Sequence, residues 1–131
     1  MATPFLTDLT RERIAEKTRQ RLDFIVRDDA RVVIPGANLD EVKLTLYNES
    51  DGAIINARNA VDVLLSGELT VSALGVGVMT FKPDDMVIVG TAPVPSQELH
   101  VAQFDYKWDA DAEKVGRHQV RLQVVNLLKT T

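Results

Sequence analysis

The sequence predicts an all-β domain: an antiparallel sandwich of about seven strands with one short helix and an N-terminal arm. Three observations carry this expectation. Apolar and polar residues alternate at period two in several segments, most clearly in Glu98–Trp108, where His100, Ala102, Phe104, Tyr106 and Trp108 share one face. Turn-forming clusters recur at intervals near the roughly 8–12 residues usual in sandwiches. Strand–helix–strand repetition, the pattern that builds parallel sheets, does not occur. At 131 residues and 45% apolar composition, the chain fits one domain with a core of its own.

Residues 1–17 read as an arm rather than as part of the sandwich, which is expected to span 18–131. Phe5, Leu6, Leu9 and Ile14 are their only large apolar groups, and Thr7 or Asp8 caps a possible short helix running toward Lys17. Its apolar stripe is too thin to hold on water alone, so the arm needs a surface to lie on. From Arg19 the period becomes two, with Leu22, Phe24 and Val26 facing inward. Asp28-Asp29-Ala30 turns the chain, Val32–Ile34 is a short apolar piece, and Pro35-Gly36 with Asn38 turns it again.

Val42, Leu44 and Leu46 alternate with Lys43, Thr45 and Tyr47 in a second clear strand, which ends at the turn cluster Asn48-Glu-Ser-Asp-Gly52. Ala57, Ala60, Val61 and Leu64 recur at helical spacing between a capping Asn56 and Gly67, which predicts the one short helix. Leu69–Ser72 and Val76–Phe81 are strands divided by Leu74-Gly75, and Gly75 and Gly77 predict a bulge or tight bend. Pro83-Asp84-Asp85-Met86 suits a helical turn, and Gly90–Pro95 a loop. Glu98–Trp108 and His118–Val124, joined through Asp109–Gly116, form a hairpin with Val120, Leu122 and Val124 inward.

Charge bounds the partners. Residues 1–27 hold six Lys/Arg against four Asp/Glu, and residues 28–131 hold nine against fifteen. The acidic body lacks the dense basic stripe that a phosphate backbone requires, so nucleic acid is not an expected partner. No apolar run approaches the ~20 residues needed to span a bilayer, and the N-terminus has no signal-peptide pattern, so no membrane partner is expected either. Without cysteine, the fold has neither disulfides nor thiolate metal sites.

Candidate chemistry is sparse. His100 and His118 fall on the inward face of neighbouring strands and approach each other on this pattern, but a zinc site needs a third protein ligand and none stands beside them. Asp109-Ala-Asp111-Ala-Glu113 begins like a calcium loop and fails where Lys114 replaces the turn glycine and Val120 the bidentate acid, leaving a solvated hairpin tip. Asp84-Asp85 reads as negative charge at a helix start rather than an acid–base pair. No catalytic, metal or cofactor residues are assigned, and the chain is not expected to be an enzyme. A carbohydrate- or host-surface-binding sandwich is the alternative, using Trp108, Tyr106 and Tyr47 as a platform, provided that Trp108 emerges at its strand end. The residues expected to bind a partner are those of the arm: Phe5, Leu6, Leu9, Arg11, Arg13, Ile14 and Lys17.

Leu44-Thr-Leu-Tyr47, Gly52, Ile54-Ile-Asn56, Pro83-x-Asp85, Glu98-x-His-Val-Ala-x-Phe104 with Trp108, and Gly116-x-His-x-Val120 together resemble small immunoglobulin-like structural proteins of tailed bacteriophages. They are similar to the N-terminal module of phage baseplate upper proteins. The resemblance covers Arg19 to Leu128 and leaves the first 17 residues unmatched. It implies an immunoglobulin-like sandwich with a non-enzymatic role in a virion, assembled in the host cytoplasm, in head, neck, tail or baseplate. The implied partners are other virion proteins and further copies of the chain. It carries over no catalytic residue and no cofactor.

Overall fold

A computed structural model describes residues 5–15, 17–28, 30–89, 97–111 and 113–125, with the backbone alone over 5–13. Eight strands run in chain order: β1 (Phe5–Ala15), β2 (Gln20–Ile25), β3 (Leu39–Asn48), β4 (Val61–Asp62), β5 (Leu69–Val71), β6 (Val76–Phe81), β7 (Gln97–Trp108) and β8 (Val115–Val125). They form a five-stranded sheet of order β1-β8-β7-β3-β4 and a three-stranded sheet of order β2-β6-β5.

Period-two patterning decides which faces meet. β7 buries His100, Ala102, Phe104, Tyr106 and Trp108, β3 buries Val42, Leu44 and Leu46, and β8 buries His118, Val120, Leu122 and Val124. Leu22 and Phe24 of β2 and Met79 and Phe81 of β6 join them in one core, so the two sheets share their apolar faces. Phe24 and Phe104 meet across that core with ring centroids 4.7 Å apart. In the register of β7 and β8, Ala102 opposes Val120 and Phe104 opposes His118. The hairpin also needs a residue without a Cβ at 116, because one there would stand 2.5 Å from the Tyr106 ring.

Three expectations are corrected. Residues 5–15, expected as an arm with a short helix, form strand β1. Without β1, the outer edge of the eleven-residue β8 would leave its outward-pointing N–H and C=O groups unpaired, and satisfying them outweighs a helix whose apolar stripe is thin. β1 runs parallel to β8, with Phe5 opposite His118 and Ala15 opposite Val125, so the expected all-antiparallel pairing fails at this edge.

The helix expected over Asn56–Gly67 is replaced by turns and the short β4, and the described residues contain no α-helix. Asn56, Ala57 and Ala60 sit at φ of 53°, 56° and 54°, a left-handed backbone that no right-handed helix can pass through. The short apolar piece Val32–Ile34 contributes an isolated bridge between Arg27 and Val33. The Pro83–Asp85 turn is a 3₁₀ helix, and Gly75 makes the expected tight bend at φ 75°.

Candidate functional site

The residues expected to reach a partner lie along β1 and its exit turn. Phe5, Leu6 and Leu9 oppose His118, Gln119 and Leu122 of β8, while Arg13 and Ile14 oppose Gln123 and Val124. Arg11 falls within a register slip between Leu9 and Arg13. Ile14 is buried in the core. Lys17 is exposed, at φ 58°, and its backbone N–H donates to the Met86 carbonyl at 2.7 Å. The structure therefore lines six of these residues along one edge, with Lys17 in the turn that follows. β1 has β8 on one side and, among the described residues, no strand on the other.

The turn after β1 rests beside a buried ion cluster. The Arg58 guanidinium donates from Nε to Asp85 Oδ1 at 2.9 Å and from Nη2 to Asp85 Oδ2 at 3.1 Å. It also donates from Nη1 to Glu68 Oε1 at 2.9 Å, and from Nη2 to Glu68 Oε2. Asp85 is wholly buried and accepts two further bonds, from Asn56 Nδ2 and from the Lys82 backbone N–H, each at 2.8 Å. Its roughly four lone-pair sites are thus engaged, which leaves none for a substrate or metal. The Arg58 hydrogen bonds hold Glu68 down at about 2, and the Glu68 and Asp85 bonds raise Arg58 further above its ordinary range. Arg19, Glu68 and Lys82 border an open depression of about 320 Å³ next to the cluster.

The two histidines do not meet. His100 opposes Leu122 and His118 opposes Phe104, which separates them by four residue steps along the strands, roughly 13 Å. His100 Nε2 donates to Glu98 Oε1 at 2.9 Å, and that oxygen also accepts the Val89 N–H at 2.8 Å. Among the described residues His100 Nδ1 has no hydrogen-bond partner. His118 stacks on Phe24 at 4.9 Å, and burial lowers its pKa to about 4. No group of three or more His, Asp or Glu is gathered as a metal site among the described residues. At the hairpin tip Asp109 accepts from Lys114 Nζ at 3.0 Å and Asp111 from the Glu113 N–H at 2.9 Å, so both acids serve the turn itself. Trp108 does not emerge: it and Tyr106 are buried, and Tyr47 is half-buried. The Tyr106 hydroxyl donates to the Arg27 carbonyl at 2.7 Å, tying β7 to the chain beyond β2.

Reading the sequence missed Arg58 and Glu68 because the helical spacing of Ala57, Ala60 and Leu64 masked them. A usable signal was present: Asn56 and Asn59 flank Arg58, and closely spaced asparagines favour turns and left-handed backbone. No protein-family model, curated protein or solved structure matches this chain.

Proposed function

We propose that the chain is an immunoglobulin-like β-sandwich serving as a non-enzymatic structural component of a tailed-phage virion, assembled in the host cytoplasm. It acts through protein–protein contacts with other virion proteins and with copies of itself, and uses neither nucleic acid, membrane nor cofactor. The observation that carries this reading is β1, an eleven-residue edge strand that no strand among the described residues pairs on its outer side. Sheet edges in monomeric proteins are usually short or blunted, as the two-residue β4 at the opposite edge is. A long open edge suits pairing with another chain.

Strand order supports the immunoglobulin-like assignment. Taking β2 to β8 as strands B, C, C′, D, E, F and G gives sheets G-F-C-C′ and B-E-D, with β1 added beside G. The virion reading rests on the sequence resemblance itself; of the residues that carry it, Asn56 bonds Asp85 and Leu44 pairs with Phe104 within the fold. Exposed aliphatic side chains at one end, with Ile25 opposite Val76 and Leu74 78% exposed in the adjoining turn, offer further contact surface.

The test is a chain beginning at Thr10. It keeps Ile14 and the Arg13–Ala15 pairing but lacks the Phe5–Leu9 half of the edge. It should still fold and unfold cooperatively, at a somewhat lower midpoint because the His118–Leu122 edge of β8 is left unpaired, and its incorporation into particles should be lost. Incorporation at the level of the full chain would overturn the role given to β1.

A further inference from the structure

We infer that β1 is an exchangeable strand, which in the assembled state fills the β8 edge of a second copy of this chain. This rests on the assembly reading above and names the partner of its edge strand.

The first ground is position. Among the described residues β1 is the outermost strand and its ladder is made with β8 alone, so its departure leaves the other seven strands in their order. What it leaves bare is the edge of β8, and every copy carries the same edge. The pairing of Phe5–Leu9 with His118–Leu122 and of Arg13–Ala15 with Gln123–Val125 can therefore be rebuilt between copies with the same register. Only the connection differs between the closed and exchanged forms.

That connection is short and strained. β1 ends at Ala15 and β2 begins at Gln20 in the other sheet, so four residues turn the chain from one layer to the next. Among them Lys17 is held at φ 58°, a conformation that L side chains disfavour. Two hydrogen bonds keep the turn closed, Lys17 N–H to the Met86 carbonyl at 2.7 Å and the Thr18 hydroxyl to the Ala15 carbonyl at 2.6 Å. Extending the turn relieves Lys17, which is the circumstance in which short hinges promote exchange. Four extended residues reach about 13 Å, enough to pass the strand to a neighbour at the same edge.

Chain order adds a kinetic reason. The first strand pairs with the last, Phe5 with His118, so β1 must wait for β8, and this is the most demanding closure in the fold. The register slip between Leu9 and Arg13 divides β1 into two paired stretches. The outer stretch can change partner while Ile14 stays anchored, and complete exchange follows.

Crosslinking decides the matter, because Leu6 and Gln119 are backbone partners in the β1–β8 register and the chain has no cysteine of its own. A Leu6→Cys variant and a Gln119→Cys variant carrying different tags are unfolded together, refolded and oxidised. Exchange gives a covalent heterodimer well above the background from Leu6→Cys mixed with Thr70→Cys, whose position is exposed on the other sheet. Lys17→Gly should lower the yield several-fold by relieving the closed turn. Lys17→Pro, with φ fixed near −65° and no N–H for Met86, should raise it. Heterodimer at background level overturns exchange, whether or not the double variant Leu6→Cys/Gln119→Cys closes on itself. If that internally locked double variant still enters particles, exchange alone has failed and the assembly reading stands.

Discussion

Arg58 joins three parts of the chain with one guanidinium: its own turn, Glu68 ahead of β5, and Asp85 after β6. A buried ion pair is not in itself strong evidence of stability, but removing one partner leaves the other charge buried and unpaired. Arg58→Ala should therefore cost about 3–5 kcal/mol, read from the shift in denaturant midpoint. Arg21→Ala, which breaks an exposed pair with Asp23, should cost under about 1 kcal/mol. Two groups also set the acid limit. His118 titrates near 4 in the fold and near 6.5 when unfolded, so below pH 6.5 the unfolded chain binds a proton that the native chain refuses. Stability then falls as pH drops from about 6.5 to 4, by on the order of 2–3 kcal/mol, and this contribution levels off below. Glu68, held at about 2 against an ordinary 4.5, stabilises fully above pH 4.5 and loses that contribution as pH falls toward 2. Urea midpoints measured across pH 7 to 2 should decline through both windows, and His118→Phe should flatten the upper window while leaving the lower one.

At the scale of elements, strands whose partners are near in sequence or strongly alternating were legible, and those that depend on distant partners were not. Leu22 to Val26, Val42 to Leu46, Glu98 to Trp108 and His118 to Val124 have the periodicity of half-buried strands, and the structure places them in β2, β3, β7 and β8, with Val26 buried just past the end of β2. β1 was hidden because its strand state comes from β8, more than a hundred residues away, and no local pattern reports that edge. The Asn56–Gly67 segment was misread because the spacing of its apolar residues matches a helix while its backbone follows the Asp85 and Leu46 contacts instead. This difference has a sign that can be measured. Ala57→Gly and Ala60→Gly should be neutral or stabilising by up to about 1 kcal/mol, since both positions have positive φ. In a helix each would destabilise by about 1 kcal/mol, and thermal melts distinguish the two.

For the whole molecule, two sheets of five and three strands share one core and leave two unlike edges on the larger sheet, a two-residue β4 and an eleven-residue β1. Ionisable groups that the sequence offers for chemistry are engaged within the fold: Asp85 with Arg58, His100 with Glu98, and Asp109 with Lys114. Among the described residues, the β1 edge and the exposed Ile25, Leu74 and Val76 offer surface that suits contact between proteins. That account is tested most directly by an image of the intact particle at a resolution that separates strands. It predicts density for this sandwich at a repeating position, with the β1–β8 edge in the contact between neighbouring subunits. Density in which that edge faces solvent while other surfaces make every contact, or particles that lack the chain, would contradict it.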